Sequence, residues 1–253
     1  MGAIIKKEEG ELRMIFWGKG CEGDGPAIFS ALNEEGQREL ASLLRPIEYD
    51  KDEVIFQEGE PAFGLYIICR GRVKLAKRSS RGKRQILKLV GPGELLGEKT
   101  MFDQEVYTAF AKTLEPTKLY FIERGAFLDF LLRHPRVAIA LIENLARELK
   151  SFQTRLLEIS YEGSTERLAR LLLKVGEVCG VEEDRRVYLG VELSRAELAE
   201  MAGVSTETAI RTLSRLRERG LIDLEGHKIY IRDREGLERL AEPTSAVARE
   251  DRF

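Results

Sequence analysis

The chain has 253 residues, of which 43% are hydrophobic and 33% charged, and its formal net charge is −2. This composition is typical of a globular protein with one large or two ordinary domains. No run of about 18 apolar residues is present, which excludes a membrane-spanning helix. The N-terminal sequence MGAIIKKEEG has no apolar core of signal-peptide length, so we expect a cytoplasmic protein. Because the net charge is slightly negative, nucleic-acid binding would require a local basic face.

The cysteines and histidines are few and dispersed. The three cysteines, Cys21, Cys69 and Cys179, lie far apart, which predicts reduced thiols and no clustered zinc or iron–sulfur ligands. The two histidines, His134 and His227, leave little for a histidine-based metal site. We therefore predict no cofactor, no metal and no enzymatic activity, since a cupin-like enzyme would need a cluster of metal-binding histidines.

The N-terminal half changes character along its length. Residues 1–27 are predicted to be an extension of uncertain structure and residues 28–133 a β-rich domain. A short helix is predicted over ALNEEGQRELASLL, which ends before Pro46. From Ile47 to Ile122, short β-rich runs alternate with turn signals such as EGEP, SSRG and GPG. Many short strands at this spacing predict an antiparallel sandwich or barrel.

Residues 134–162 are predicted to be a long helix and a hinge. His134-Pro135 opens the helix, with proline near its first position, and Gly163 marks the hinge. Apolar residues recur at alternating spacings of four and three, which is a coiled-coil pattern. They are Ala138, Ile142, Leu145, Leu149, Phe152, Leu156 and Ile159. We interpret this stripe as a parallel seam with a second copy of the chain; the alternative is that it covers the β-rich domain.

Residues 163–242 are predicted to form a C-terminal domain, followed by a flexible tail over 243–253. The domain starts with the amphipathic sequence TERLARLLLKVGEVCG, a polar loop, VEEDRR, and a short strand, VYLGVEL. Near its end, LIDLEGHKIYI indicates two strands that turn at Glu225-Gly226. This hairpin is predicted to be the wing of a winged helix domain.

A helix-turn-helix lies between these segments. Ser194 and Glu197 have the spacing of a capping box at the start of a short helix. Gly203 allows the left-handed conformation that the turn needs, and Ser205 is a capping residue before the second helix. This arrangement is typical of a DNA-binding helix-turn-helix.

The second helix places Glu207, Ile210 and Arg211 opposite its apolar face. In a major groove, Arg211 can donate two hydrogen bonds to guanine, and Glu207 can accept one from cytosine. Ile210 and the methyl group of Thr206 can contact thymine methyls. The alternatives are an ordinary solvated helix or a winged helix that contacts other proteins.

A second group of residues near helix starts and the wing tip is predicted to hold the DNA backbone without reading bases. These residues are Ser194, Arg195, Ser205, Thr208, His227 and Lys228.

Over about residues 28–235 the chain resembles the bacterial cyclic-AMP receptor and fumarate–nitrate reduction regulator (CRP/FNR) family. The resemblance rests on GELLGEKTMF, the heptad helix, and GVSTETAIRTL followed by a wing, with Glu207 and Arg211 at the family's recognition spacing. It implies an α+β fold: an antiparallel β-roll of the cyclic-nucleotide-binding type, a coiled-coil dimerisation helix and a winged helix-turn-helix. It also implies a homodimeric transcription regulator that binds an inverted repeat in double-stranded DNA with a TGA-like half-site core, and RNA polymerase as a partner. The cyclic-AMP branch has arginine where this chain has Thr206, so the outer bases of the half-site are left open.

The resemblance also implies an effector pocket in the β-roll. Gly97 and Glu98 match the cyclic-nucleotide binders, in which the glutamate holds a ribose hydroxyl. The arginine that would neutralise the phosphate falls at Tyr107, before Thr108. A buried phosphate without a cation is strongly disfavoured, so we expect regulation that does not depend on cyclic AMP.

The candidate pocket has two further residues on the long helix. The Thr-Ser pair that contacts adenine in the cyclic-AMP branch is replaced by Phe152 and Gln153. These residues do not identify an effector. The alternative functions for the chain are a cyclic-nucleotide-responsive regulator and a nucleotide-gated interaction module without DNA binding. A cysteine-based redox response at Cys69 or Cys179 is also left open.

Overall fold

The computed structural model describes residues 17, 20–80, 82–103 and 106–242, with side chains except at 103, 155 and 157–161. These residues fall into two compact units. The first contains the chain up to Val73 and Leu89–Ala146, and the second contains Lys74–Lys88 and the chain from Arg147. The predicted tail, 243–253, lies outside the described residues.

The β-rich part is an antiparallel roll of two four-stranded sheets. Its strands are β1 (Arg45–Tyr49), β2 (Val54–Phe56), β3 (Gly64–Arg70), β4 (Val73–Arg78), β5 (Arg84–Val90), β6 (Leu95–Leu96), β7 (Phe110–Thr113) and β8 (Thr117–Glu123). The sheet orders are β1-β8-β3-β6 and β2-β7-β4-β5. The pairs β1–β8, β3–β8, β3–β6 and β2–β7 are antiparallel, as predicted. The sequence did not predict β1, a mostly exposed edge strand that contains Pro46, or the two-residue β6.

Helices cover one side of this roll. They are α1 (Glu34–Leu43), α2 (Thr100–Asp103) and α3 (Arg124–Arg133), and a 3-10 turn lies at Ala27–Phe29. The sequence missed α3, because its apolar run follows β8 without a break and a short apolar run does not distinguish strand from helix. The side chain of Glu123 caps α3 by accepting hydrogen bonds from the backbone of Gly125 and Ala126. Phe127 and Phe130 are fully buried in the core of the first unit.

Part of the N-terminal extension belongs to that core, and Cys21 and Cys69 form a disulfide. Trp17 is fully buried, and its indole nitrogen donates to the carbonyls of Glu22 and Gly23. The backbone N–H of Glu22 donates to the carbonyl of Cys69 at 2.8 Å, which brings the segment onto β3. The prediction of reduced thiols is therefore wrong for this pair. Spacing along the sequence could not reveal a pairing that depends on tertiary packing across 48 residues.

We expect reduction of the Cys21–Cys69 disulfide to lower the free energy of unfolding by about 3–4 kcal/mol, because the bond closes a long loop in the unfolded chain. Urea denaturation with and without reductant measures this difference. Cys179, which is buried and outside the disulfide, provides the control: Cys179→Ser should retain the reductant effect. Three titratable thiols in the native protein under non-reducing conditions would contradict the pairing.

The long helix, α4, spans Pro135–Tyr161, as the heptad pattern predicts. Val137 and Leu141 bury one face of its first half in the core of the first unit. The predicted stripe lies mostly outside that core. Ala138 and Leu145 are partly buried, whereas the residues that are more than half exposed are Ile142, Leu149, Phe152 and Leu156. The side chain of Ile159 lies outside the described residues.

The second unit contains the winged helix fold. Its elements are α5 (Ser164–Cys179), β9 (Val181–Glu183), β10 (Arg186–Tyr188), α6 (Arg195–Ala202), α7 (Thr206–Glu218), β11 (Ile222–Glu225), β12 (Lys228–Ile231) and α8 (Arg234–Ala241). The sheet order is β11-β12-β10-β9. The predicted loop VEEDRR is instead β9 and a tight turn, in which Asp184 and Arg185 have positive φ. Its polar residues are those of an exposed edge strand, so composition did not distinguish it from a loop.

The short helix α8 was also not predicted. It begins at an Asp233 cap, which accepts a hydrogen bond from the backbone of Gly236, and it buries Leu237 and Ala241. Its other residues are mostly charged, so the apolar signal is weak. No described helix is long and apolar enough to cross a membrane. Within the described ranges no group of three or more potential metal ligands occurs.

Candidate nucleic-acid interface

The capping box at the start of α6 is confirmed. The hydroxyl of Ser194 accepts a hydrogen bond from the backbone N–H of Glu197 at 3.2 Å. In return, the carboxylate of Glu197 accepts from the backbone N–H and the hydroxyl of Ser194, both at 2.8 Å. These bonds satisfy donors that a helix start leaves unpaired, and they fix where α6 begins.

The turn between α6 and α7 has the predicted geometry. Gly203 ends α6 in the left-handed conformation, with φ +65°. The hydroxyl of Ser205 then accepts from the backbone N–H of Thr208 at 3.1 Å and caps α7. Ala199 and Ala209 are both buried, and their small side chains let α6 and α7 pack closely. The local sequence thus sets the angle at which α7 is presented.

The four predicted base-reading residues share the exposed side of α7. Thr206, Glu207 and Arg211 are exposed, and Ile210 is 48% exposed although it is a large apolar residue. The opposite face, with Leu213 and Leu216, is buried. Within the described part of the chain, neither Glu207 nor Arg211 makes a side-chain hydrogen bond. Their polar groups are therefore available to base edges in a major groove.

Three of the residues predicted to hold the DNA backbone already have intramolecular partners through their hydroxyl groups. The hydroxyl of Ser194 takes part in the capping box. The hydroxyls of Ser205 and Thr208 bond to each other at 2.8 Å. A phosphate contact by any of these three hydroxyls would therefore require its present hydrogen bonds to rearrange.

The wing brings the other three together with the start of α6. A guanidinium nitrogen of Arg195 (Nη2) donates to the carbonyl of Gly226, at the wing turn, at 3.3 Å. Burial lowers the pKa of Arg195, because it removes water from around the guanidinium. His227 and Lys228 are exposed, and the ammonium of Lys228 lies 5.3 Å from the ring centroid of Tyr188. Arg195 therefore supports the wing, while His227 and Lys228 face solvent.

Tyr107, one of the candidate effector residues of the first unit, belongs to an aromatic cluster with Phe56 and Tyr66. The ring of Tyr107 stacks on Phe56 with centroids 3.9 Å apart, and its hydroxyl donates to the carbonyl of Gly64 at 2.9 Å. A Cβ at Gly97 would lie 3.1 Å from the Tyr107 ring, so the two positions are adjacent. Burial raises the pKa of Tyr107 and of Tyr66, so both remain neutral phenols.

The remaining effector candidates are placed differently. Glu98 is buried, whereas Thr108 is exposed. Phe152 and Gln153 are both exposed on α4. The position that would carry the phosphate-binding cation thus holds a buried, uncharged ring.

Sequence reasoning missed two contributions to this region. Lys74 of β4 forms an ion pair with Glu197 at 2.6 Å, although the two residues are 123 positions apart. Arg186 of β10 lies 4.2 Å from the ring centroid of Tyr230 and pairs with acidic residues of β11. A lysine or an arginine in a strand gives no signal of a distant partner, so only the fold could show these contacts.

An antiparallel β-roll, a long helix and a winged helix-turn-helix whose second helix has an exposed polar face define a DNA-binding transcription regulator with a cyclic-nucleotide-binding-like domain. Comparison with known proteins agrees with this class. Residues 46–134 match the cyclic nucleotide-binding domain family, and residues 166–240 match the Crp-like helix-turn-helix domain family. The chain belongs to the CRP/FNR family of transcription regulators.

Similar proteins align over most of their length. The chain is 30% identical over 214 residues to a "CRP-like cAMP-activated global transcriptional regulator" of Mycobacterium tuberculosis, covering 85% of this chain and 96% of that protein. It is 32% identical over 219 residues to a "Cyclic AMP receptor protein" of Thermus thermophilus, covering 86% and 97%. The solved structure of FixK2 from Bradyrhizobium japonicum superimposes with a TM-score of 0.68 at 26% identity, covering 78% of this chain and 96% of that one.

Proposed function

We propose that this regulator acts as a homodimer that binds an inverted repeat with a TGA-like core in each half-site. The exposed apolar stripe of α4 is the observation that carries the proposal. Four large apolar residues at heptad spacing are more than half exposed in the single chain: Ile142, Leu149, Phe152 and Leu156. A contiguous apolar surface of this kind is typical of a protein interface, and the heptad spacing favours a second parallel helix.

A parallel α4 pair relates the two copies by a twofold axis, and the DNA site follows from that symmetry. The two α7 helices would then enter successive major grooves about 34 Å apart, one helical turn of DNA. Arg211 and Glu207 would read guanine and cytosine edges, and Ile210 with Thr206 would contact thymine methyls. A site with two inverted half-sites matches this arrangement.

We also propose a role for each part of the chain: residues 28–133 form a sensor-like roll, residues 134–162 form the dimerisation helix and hinge, and residues 163–242 form the DNA-binding domain. RNA polymerase is the protein partner that a promoter-bound regulator would contact. The relatives named above are transcription regulators of bacteria, which supports a non-enzymatic role in the cytoplasm, where the chromosome lies.

A binding assay with three duplexes tests the DNA mode. The duplexes carry an inverted repeat of TGA-like half-sites, a single half-site, or random sequence at equal length. We expect the inverted repeat to bind at least about 10³-fold more tightly than random DNA at physiological salt. Equal affinity for the repeat and the single half-site would contradict the dimeric mode.

We further propose that the DNA affinity of the protein does not depend on cyclic AMP. The support is local: Tyr107, stacked on Phe56 and bonded to Gly64, stands where a phosphate would need a cation. Adding cyclic AMP should change neither the DNA affinity nor the melting temperature, as measured by fluorescence anisotropy and calorimetry. Stabilisation that rises with cyclic-AMP concentration would contradict this proposal.

A further inference from the structure

The β4–β5 hairpin contacts the first helix of the helix-turn-helix through a set of polar groups. The ammonium of Lys74 lies 2.6 Å from Oε1 of Glu197. Next along the hairpin, Nε of Arg84 lies 3.4 Å from a carboxylate oxygen of Glu200. The amide of Gln85 donates to the carbonyl of Met201 at 3.5 Å. Each contact ends on α6, and all of these residues belong to the second unit.

The Lys74–Glu197 pair differs from ordinary surface ion pairs because Lys74 is buried and Glu197 is largely shielded from solvent. Lys74 is only 7% exposed. Burial would raise the pKa of Glu197, but hydrogen bonds from Lys74 and Ser194 outweigh that effect and lower it. Glu197 is therefore a carboxylate at neutral pH. A buried ammonium strongly requires such a partner, so the pair favours one arrangement of the hairpin and α6.

The two carboxylate oxygens of Glu197 bind different partners. Oε1 meets Lys74, while Oε2 accepts from the backbone and hydroxyl of Ser194 in the capping box. One carboxylate thus ties the start of α6 to a strand far away in sequence. Because α6 packs on α7, fixing α6 also fixes α7.

We propose that Lys74, which lies outside the helix-turn-helix sequence, is a positioning residue for DNA reading: through Glu197 it holds α6, and with it α7, in the orientation that binds DNA. This inference rests on the DNA-binding mode proposed above. The arrangement is compatible with DNA because the hairpin contacts α6 and leaves Ile210 and Arg211 of α7 exposed. The pair therefore supports binding and does not block it.

Four variants of the full-length protein test the inference. Lys74→Met and Glu197→Gln each remove one charge, and glutamine can still accept at the capping box. Lys74→Arg keeps the charge. The double variant Lys74→Met with Glu197→Gln combines the two single changes and completes a double-mutant cycle. Lys112→Met is a matched control, because the pair of Lys112 with Asp52 lies elsewhere in the roll and is more exposed.

Fluorescence anisotropy measures the affinity for the duplex that the wild type binds most tightly and for random DNA. We expect Lys74→Met and Glu197→Gln to weaken the first by about tenfold, the factor that corresponds to 1.4 kcal/mol. Binding to random DNA, which depends mainly on phosphate contacts, should change by less than about threefold. Lys74→Arg should recover most of the loss. The double variant should lose little more than either single variant, because both act through one pair. Lys112→Met should bind like the wild type.

Circular dichroism and sedimentation on the same samples separate positioning from folding. Loss of DNA affinity with unchanged secondary structure and association state supports the inference. Wild-type affinity in Lys74→Met, or losses that follow the unfolded fraction in both single variants, would overturn it. If the wild type binds a single half-site and the repeat with equal affinity, the proposed dimeric mode is wrong. The affinity of the same variants for the single half-site then tests the role of Lys74.

Discussion

Replacing Ile142 and Leu149 by glutamate should convert the proposed dimer into a monomer and lower the affinity for an inverted repeat by a factor on the order of 10²–10⁴. Both side chains are more than half exposed in the single chain, whereas Val137 and Leu141 attach α4 to the core, so the variant should still fold. Facing glutamates would repel each other across the seam. Equilibrium sedimentation measures the association state, and anisotropy measures the DNA affinity.

A matched substitution distinguishes the effect of a charge in the heptad stripe from the effect of a charge at any exposed apolar position. Leu132 is 82% exposed on α3, away from the heptad positions, and Leu132→Glu should leave both the association state and the DNA affinity unchanged. If the double glutamate variant still sediments as a dimer at micromolar concentration, the α4 seam is not the dimer interface.

Replacing Arg211 by alanine should remove about 1–3 kcal/mol of discrimination between the cognate duplex and one in which the contacted guanine is changed. The reason is geometric: Arg211 is exposed on the reading face of α7 and can donate two hydrogen bonds to one base. The measured quantity is the ratio of dissociation constants for the two duplexes at one fixed salt concentration.

Lys228→Ala is the control for that experiment. Lys228 is exposed at the wing, so its loss should weaken all duplexes alike and reduce the magnitude of the salt-dependence slope by about one. If Arg211→Ala lost affinity equally for cognate and random DNA, Arg211 would be a backbone contact and the assignment of α7 to base reading would fail.

The helix-turn-helix could be predicted closely because its signals are local. The capping box of Ser194 and Glu197, the left-handed Gly203 and the cap at Ser205 each act within a few residues, and the structure has all of them. Helical periodicity likewise placed Ile210 on the exposed face. The edge strand β9 and helix α8 were missed, because charged surface residues carry little periodic signal.

Contacts between distant segments could not be predicted. The Cys21–Cys69 disulfide and the Lys74–Glu197 pair each join segments that only the fold brings together. The hydrogen bond from Arg195 to the carbonyl of Gly226 depends in the same way on where the wing turn lies. At the candidate effector site, the sequence indicated that a cation is missing at position 107. The stacking of Tyr107 on Phe56 could not be predicted, because it depends on how the sheets pack.

The buried indole of Trp17 gives the protein a built-in optical reporter. It is the only tryptophan in the chain, so intrinsic emission excited at the red edge of protein absorption comes from this one site. In the packed state the ring is shielded from water and should emit at short wavelength. A shift of the emission to longer wavelength would reveal the N-terminal segment leaving the roll, without any label and on the timescale of a stopped-flow experiment.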